Sequence, residues 1–340
     1  MTSFQIDSRP AALETKAMPK VLVIQPIHSA GYEKLNESGV IVCKCPSYDD
    51  ATVLEQIADV DAVITRSAGL QAFAMDRAPR LRAIVSHGSG VDAIDIGHAT
   101  KLGIPVANTP GANSSSVAEH AIGLMLATLR SLTDADRAVR ECDFNFKYRR
   151  DLRGISGKTL GLIGFGAIGT RVAAMARAAF GMRIVVLANH TNAASLEELG
   201  YEKASLLDDL LRESDVISLH SVVSDKTRGI IGEREFRLMK QTAILINTAR
   251  GALVDERALL NALQTGQIAG AGLDVFSSES MSPDNPILSA PNTVFSPHIG
   301  GSTVDALEAT AVAAAEHILA LLSGSRLDVI NTECWDRRRH

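Results

Sequence analysis

The segment from 159 to 188 constrains the fold more than any other, because it has the pattern of two short strands joined by a helix. Two apolar runs predict the strands, TLGLIG (159–164) and RIVVLA (183–188). An amphipathic pattern between them predicts a helix from Ala167 to about Ala179. Three glycines in the spacing GxGxxG join the first strand to this helix: Gly164, Gly166 and Gly169. A βαβ unit of this kind predicts two parallel strands.

The three glycines of this turn match three separate backbone requirements. Gly164 permits the tight turn, Gly166 permits the close approach of a pyrophosphate, and Gly169 permits close packing of helix against strand. The start of the helix adds unpaired N–H groups and the positive end of the helix dipole. A bare GxGxxG is often only a turn, but a strand before it and a helix after it favour a dinucleotide site.

The residues after the second strand bear on the choice of dinucleotide. NAD-binding units usually carry Asp or Glu about 20 residues after the glycines, where it binds the ribose hydroxyls. This chain has Ala188 there, followed by Asn189, His190 and Thr191, and has no acidic residue from Thr170 to Leu196. Nothing here repels a 2′-phosphate, although the loop also lacks Arg and Lys. The sequence favours NADP(H), or use of both cofactors, over strict use of NAD(H).

The alternation of strands and helices predicts the fold class. At 340 residues the chain is long enough for about two domains. Further strand patterns in its first third are VLVIQ (21–25), VIVCK (40–44), DAVIT (61–65) and LRAIVS (81–86). Those after the glycine turn are VISLH (216–220), AILIN (243–247) and IAGAGLDV (268–275). We expect an α/β protein with a doubly wound Rossmann sheet inserted into a smaller flavodoxin-like α/β domain.

The expected domain boundaries follow two long helices that flank the second run of strands. The smaller domain covers 18–112 and 304–340, the Rossmann domain covers 113–303, and residues 1–17 form a flexible extension. In the first long helix, Ser116 and Glu119 form a capping-box pattern. His120 and His317, each beside a Glu on a long helix, are interpreted as structural or interfacial, and the tail WDRRRH (335–340) as solvated.

Composition excludes several classes of protein. A net charge of −5 and an aromatic content of 4% disfavour nucleic acid and anionic membranes as partners. No apolar stretch approaches the roughly 18 residues of a membrane span, and the N-terminus lacks the apolar region of a secretory signal. The four cysteines, Cys43, Cys45, Cys142 and Cys334, form no CxxC pair and no zinc-type cluster. We expect a reduced, cytoplasmic protein without a metal.

Three polar segments lie at or just after the carboxyl ends of predicted strands. They are NTARG (247–251), DVFSSE (274–279) and SPHIGGS (296–302). Open α/β sheets bind their ligands at this edge. The segments therefore mark the candidate functional site.

With these segments, the chain resembles the D-isomer-specific 2-hydroxyacid dehydrogenase family. The resemblance covers almost all of 20–325. Besides GLIGFGAIG it rests on SHGSGVDAID (86–95), NTPGANSSSVAEH (108–120), DVISLH (215–220), INTARGALVDERAL (246–259) and GLDVF (272–276). That family includes hydroxypyruvate and glyoxylate reductases, phosphoglycerate dehydrogenases and D-lactate dehydrogenases. The resemblance implies a homodimer built largely through the nucleotide domains.

The resemblance also implies a catalytic trio of Arg250, Glu279 and His298. His298 would give a proton to the keto oxygen, and Glu279 would orient the ring and favour its protonated form. Arg250 would bind the substrate carboxylate and polarise the keto oxygen with its forked donors. The alternatives without a catalytic role are a structural ion pair between Asp274 and Arg250 and a capping role for His298.

Ligand contacts are implied for further positions. For the substrate they are the backbone amides of Ser89 and Gly90, together with Arg66, which is equally well a solvated surface arginine. For the cofactor they are Gly164, Gly166, Ala167, Ile168, Gly169, Ala188, Asn189, His190, His220, Thr227, Thr248, Ala249, Asp274 and Gly300. His220 is interpreted as a packing residue near the cofactor rather than as a catalyst.

The expected reaction interconverts a small 2-keto acid, such as hydroxypyruvate or glyoxylate, and its D-2-hydroxy acid. One alternative is a 3-phosphoglycerate dehydrogenase. A second is a dinucleotide-sensing binding protein like the corepressors that share this fold. Formate dehydrogenases are disfavoured, since that branch has Gln in place of the Glu279 carboxylate.

Overall fold

The computed structural model describes residues 18–278 and 281–339. The chain divides into two compact units. One runs to Thr109 and resumes at Thr310, and the other is Pro110–Ala309. The extension expected at 1–17 lies outside the described residues.

The strands and helices of the described residues follow in chain order. The strands are β1 (Lys20–Val23), β2 (Ile41–Lys44), β3 (Ala62–Thr65), β4 (Ala83–Ser86), β5 (Val106–Ala107), β6 (Thr159–Ile163), β7 (Arg183–Leu187), β8 (Glu202–Lys203), β9 (Val216–Leu219), β10 (Ile244–Asn247), β11 (Gly270–Leu273) and β12 (Thr293–Phe295). The α-helices are α1 (Ser29–Glu37), α2 (Asp50–Gln56), α3 (Ala72–Asp76), α4 (Ile96–Lys101), α5 (Ser114–Leu129), α6 (Leu132–Arg140), α7 (Ala167–Phe180), α8 (Ala193–Glu198), α9 (Leu207–Glu213), α10 (Glu233–Leu238), α11 (Glu256–Gln264) and α12 (Val304–Leu322). Short 3₁₀ helices lie at Phe144–Tyr148, Gly251–Leu253, Pro286–Ser289 and Thr332–Arg337. None of these described helices is long and apolar enough to cross a membrane.

The smaller unit is built on a parallel five-stranded sheet in the order β2-β1-β3-β4-β5. This is the flavodoxin-like order. Successive residues of β3 enter opposite layers, so Ile64 packs with α1 and α12 while Val63 packs with α2, α3 and α4. Burial on both faces explains why these strands are continuous apolar runs in the sequence.

The larger unit is built on a parallel seven-stranded sheet in the order β12-β11-β10-β9-β6-β7-β8. Helices α9, α10 and α11 pack against one face, and α5, α7 and α8 against the other. The strand order reverses between β6 and β9, which is the topological switch point where doubly wound sheets bind ligands. The predicted fold class, α/β with a Rossmann sheet and a second, smaller parallel sheet, is confirmed.

Two strands were not predicted from the sequence, and one predicted helix cap needs correction. The sequence pattern missed β5 and β8 because each has only two residues, too few to show a strand period. The capping box at Ser116 is wrong, because α5 begins one turn earlier with Asn113 as its N-cap.

The C-terminal tail is also packed rather than solvated over its described part. Cys334 is fully buried, and Trp335 packs partly buried against the core of the smaller unit. The Arg338 guanidinium lies 4.8 Å from the Trp335 ring centroid and donates to Gly324 O at 3.0 Å. The arginines thus satisfy backbone carbonyls and cover an aromatic ring, which composition alone does not reveal.

Candidate active site

The glycine turn after β6 leaves room for a ligand backbone. Gly164 has φ +99, and a Cβ at this position would lie 2.6 Å from the carbonyl carbon of His220. A Cβ on Gly169 would lie 2.5 Å from Gly164 O, so the start of α7 packs directly on the turn. Gly166 differs, because no atom lies within 4 Å of a Cβ built there.

The start of α7 completes this cradle. Gly166 is the N-cap and supplies no side chain, so no side chain caps the first N–H groups of the helix. Ala167 is exposed and Ile168 is half-buried in the first turn. An open approach at Gly166 and unfilled helix N–H groups fit the pyrophosphate of a dinucleotide.

His220 follows β9, beside the glycine turn at the switch point. Its backbone N–H donates to Ile163 O at 2.8 Å, and its Nε2 lies 2.9 Å from Ser218 Oγ. Burial lowers the pKa of His220 to about 4. The ring is therefore neutral near pH 7, which suits packing beside a cofactor and not proton donation.

The loop after β7 is the region where sequence bears on cofactor choice. Ala188 is half-buried, and Asn189 and His190 are exposed. Lys203, at the end of the adjacent strand β8, reaches this loop and donates from Nζ to Thr191 O at 2.6 Å. The missing cation of the loop is thus supplied from a neighbouring strand that the sequence pattern did not reveal.

The segment after β10 holds Arg250. The buried Asn247 side chain accepts from Ala249 N–H at 3.0 Å and donates to Arg250 O at 2.9 Å. Arg250 Nη1 in turn donates to Ala249 O at 2.6 Å, which orients the guanidinium. Asn247 therefore fixes the backbone that carries Arg250.

Two neighbours of Arg250 show further constraints. A Cβ on Gly251 would lie 1.9 Å from the carbonyl carbon of Phe276, so this loop packs backbone to backbone on the loop after β11. The Thr248 hydroxyl is buried and has no hydrogen-bond partner among the described residues. An orphaned buried hydroxyl at this edge fits a contact to a bound ligand.

His298 lies on the loop after β12, with its backbone in the left-handed region at φ +54. Its side chain is exposed, and its N–H donates to the backbone oxygen of Asp274 at 2.8 Å. Asp274 is 1% exposed, and its carboxylate accepts from Gly300 N–H at 2.8 Å and from Ser296 Oγ at 2.6 Å. The described ion-pair partner of Asp274 is His120, at 3.3 Å.

Two other expected positions are Thr227, for the cofactor, and Glu279, for catalysis. The Thr227 hydroxyl is used within its own turn, accepting from Ser224 N–H at 2.8 Å and donating to Val222 O at 2.7 Å. Glu279 lies outside the described residues. Among the residues described, no group of three or more His, Cys, Asp or Glu side chains could hold a metal ion.

The expected substrate positions lie in the smaller unit. The turn after β4 uses the carbonyls of Ser89 and Gly90, which accept from Asn108 Nδ2 at 2.8 Å and Ser86 Oγ at 2.6 Å. No described residue accepts a hydrogen bond from the N–H groups of Ser89 and Gly90. These two N–H groups suit an anionic ligand.

Arg66, the other expected substrate position, is half-buried after β3. It donates from Nη1 to Pro26 O at 2.9 Å, and burial lowers the pKa of its guanidinium. Gln25 shapes this loop, because its Oε1 accepts from Ala68 N–H at 2.7 Å and Arg66 N–H at 3.2 Å. Arg66 is thus hydrogen-bonded and partly buried at this turn.

Sequence reasoning missed several residues that shape the site. They are Gln25, Ser116, His120 and Lys203, and the separate roles of Asn247 and Gly251 within the marked segment 247–251 were not assigned. Asn247 alone had a local signal, since Asn after a strand commonly bonds the backbone two residues on. The other contacts join positions far apart in sequence, where spacing carries no information.

Comparison with known proteins gives the family. Residues 122–300 match the model of the D-isomer-specific 2-hydroxyacid dehydrogenase NAD-binding domain. A glyoxylate reductase from Aeropyrum pernix is 41% identical over 287 residues, which cover 82% of this chain and 84% of that protein. The chain belongs to the D-isomer-specific 2-hydroxyacid dehydrogenase family. It is therefore an NAD(P)-dependent oxidoreductase of the kind that acts on CH–OH donors.

Other members of the family extend the comparison. A D-3-phosphoglycerate dehydrogenase from Methanocaldococcus jannaschii is 39% identical over 310 residues, which cover 90% of this chain and 58% of that protein. A solved structure with the same fold is the NADPH-dependent glyoxylate/hydroxypyruvate reductase from Sinorhizobium meliloti, in complex with NADP and malonate. It superposes with a TM-score of 0.82 at 31% identity and covers 95% of this chain and 99% of that one.

Proposed function

We propose that this dehydrogenase reduces a small 2-keto acid, such as glyoxylate or hydroxypyruvate, to its D-2-hydroxy acid. The observation that carries the proposal is one shared sheet edge. The glycine turn, the Arg250 loop and the His298 loop all follow carboxyl ends of strands in the seven-stranded sheet. The name glyoxylate reductase, carried by the Aeropyrum relative, supports the choice of substrate.

Each proposed residue has one role in this reaction. Bound NAD(P)H supplies a hydride to the keto carbon. His298 donates the proton that the keto oxygen needs. Glu279 orients the His298 ring and favours its protonated form. Arg250 binds the carboxylate and polarises the keto oxygen with its planar donors. The remaining cofactor positions of the resemblance keep their proposed roles, with Gly166 and Thr248 supported by open space and an unused hydroxyl.

Initial rates test the proposal. Purified protein with NADPH or NADH and either glyoxylate or hydroxypyruvate is expected to oxidise the cofactor, as followed by its absorbance. 3-Phosphohydroxypyruvate tests the second candidate, which is favoured by the Methanocaldococcus relative and by the half-buried Arg66. Cofactor binding without turnover of any keto acid would instead favour a dinucleotide-sensing protein.

We propose that residues of the smaller unit contribute to binding of the acid and that the larger unit binds the dinucleotide. The match of 122–300 to an NAD-binding domain supports the second assignment. The two N–H groups at Ser89 and Gly90 support the first, since adjacent amides bind carboxylates well. Arg66 completes the set of residues in the smaller unit that are proposed to bind the substrate.

We propose NADP(H) as the preferred cofactor. The loop after β7 lacks an acidic residue, and Lys203 brings an ammonium group to Thr191 in that loop. Its neighbour Glu202 is paired with Arg183, whose Nε donates to Glu202 Oε1 at 2.7 Å. The ammonium therefore remains a suitable partner for a 2′-phosphate.

Lys203→Met is expected to raise the Kd of NADPH about tenfold, as for loss of one exposed charge-assisted hydrogen bond. The Kd of NADH should stay unchanged, because NADH has no 2′-phosphate. Titration calorimetry measures both values without turnover. Lys101→Met, at an exposed lysine of α4, is the matched control and should change neither Kd. An equal loss for both cofactors in Lys203→Met would contradict the assignment.

We propose that the chain forms a homodimer through its larger unit. Large apolar side chains are exposed along one stretch of that unit: Leu132, Val139, Phe144, Tyr148 and Leu152. Exposed apolar side chains concentrated in one segment of the chain favour an interface between subunits. Sedimentation equilibrium is expected to give twice the chain mass, and a monomer would contradict this assignment.

A further inference from the structure

We propose that His120 is a positioning residue for the loop that carries His298, acting through Ser296 and Asp274. The inference rests on the proposed role of His298 as proton donor. His120 belongs to α5, and in sequence it lies 154 residues from Asp274 and 176 residues from Ser296. Sequence spacing therefore does not indicate the role of His120, which follows from its contacts in the structure.

Asp274 is the centre of this arrangement. Its Oδ1 accepts from Ser296 Oγ at 2.6 Å and from Ile299 N–H at 2.9 Å. Its Oδ2 accepts from Gly300 N–H at 2.8 Å, and its backbone oxygen accepts from His298 N–H at 2.8 Å. The whole turn from 296 to 300 is thus wrapped around one buried carboxylate.

This wrapping has a backbone cost at His298. A residue other than Gly in the left-handed region is destabilised by about 1 kcal/mol or more. The conformation persists only where surrounding contacts enforce it, and here those contacts come from Asp274. The direction of the His298 side chain therefore depends on the Asp274 carboxylate.

Helix α5 holds this turn at two points. Ser116 Oγ donates to Gly300 O at 2.6 Å, and His120 Nε2 lies 2.8 Å from Ser296 Oγ and 3.3 Å from Asp274 Oδ1. Ser116 and His120 are four residues apart, so they share one face of the helix. That face holds both ends of the turn around His298.

The direction of the hydrogen bonds fixes the proton on His120. The single Ser296 hydroxyl proton goes to Asp274 Oδ1, so Ser296 Oγ must accept from His120. His120 Nε2 consequently carries a proton and donates it. A side chain that keeps an N–H at this reach should preserve the arrangement, and an apolar one should not.

The charge of Asp274 agrees with this scheme. Burial raises the pKa of Asp274, but hydrogen bonds from His120, Ser296 and the N–H groups of Ile299 and Gly300 outweigh burial. The net pKa lies below its usual range. The carboxylate stays ionised near neutral pH, and each donor removed leaves a buried charge less well solvated.

Three variants test the role. His120→Leu and Ser296→Ala are expected to lower kcat about 10- to 100-fold through misplacement of the proton donor. The Kd of NADPH should change little. His120→Gln keeps an N–H donor at the Nε2 position and should recover most of the loss. His98→Leu removes the similar Nε2 contact to Asp76, at 2.7 Å in the smaller unit, and should leave kcat unchanged.

Amide hydrogen exchange gives a second readout that needs no turnover. Exchange at Ile299 and Gly300 should become faster in His120→Leu and return toward the wild-type rate in His120→Gln. Wild-type exchange and kcat in His120→Leu would overturn the inference, as would an equal loss in His120→Leu and His120→Gln. Absence of keto-acid reduction by the wild-type protein would refute the proposed function instead, and the exchange comparison would still decide whether His120 anchors the turn.

Discussion

Replacing His298 with asparagine is expected to lower kcat for keto-acid reduction by about 10²- to 10⁴-fold, the usual contribution of a general acid. Asn cannot donate a proton to the developing alkoxide. It does tolerate the left-handed backbone that position 298 requires, at φ +54. Steady-state kinetics with hydroxypyruvate measures the loss.

Two controls separate chemistry from folding in this variant. The Kd of NADPH and the thermal midpoint are expected to match those of the wild type, since the side chain of His298 is exposed. His28→Asn changes a histidine in the smaller unit and should leave kcat unaltered. A His298→Asn protein with wild-type turnover would remove His298 from the mechanism.

Arg250→Lys is expected to lower kcat/KM by about 10- to 100-fold, equivalent to roughly 1.4–2.8 kcal/mol. KM for the keto acid should rise and kcat should fall together, because the proposed role of Arg250 has its donors contact both the carboxylate and the keto oxygen. Lysine keeps the positive charge, so the loss reports the forked donors of arginine and not the charge. The substitution also removes the hydrogen bond from Arg250 Nη1 to Ala249 O, at 2.6 Å.

The matched control is Arg257→Lys, at an exposed arginine of α11. It should change neither KM nor kcat. A loss of cofactor affinity alone in Arg250→Lys would assign Arg250 to the dinucleotide and not to the acid. An unchanged kcat/KM would show that any cation suffices at this position.

The sheets could be predicted from sequence because strands that are buried on both faces are continuous apolar runs. Val185 and Val186 enter opposite layers of the larger unit, so strand β7 is a continuous apolar run. The glycine turn could also be predicted, since the φ of +99 at Gly164 suits only a glycine. These features depend on local residue type alone.

The finer features depended on contacts between distant residues. The turn around His298 is enforced by Asp274, and the ends of that turn by Ser116 and His120 on α5. No spacing rule joins a residue near 120 to one near 298. The sequence therefore suggested a helix cap for Ser116, whereas the hydroxyl bonds Gly300 O.

Lys203 shows the same limit for cofactor choice. The loop from Ala188 to Asn192 contains no Lys or Arg, and the cation that reaches it comes from β8. That strand has two residues, Glu202 and Lys203, and lacks any strand period. Only the pairing of β8 with β7 brings the ammonium to Thr191.

The configuration of the glycerate formed from hydroxypyruvate tests the central claim most directly. Complete reduction with NADPH, followed by chiral chromatography, is expected to give D-glycerate, with one NADPH oxidised per glycerate formed. Formation of L-glycerate would contradict the assignment of this chain as a D-2-hydroxyacid-forming reductase.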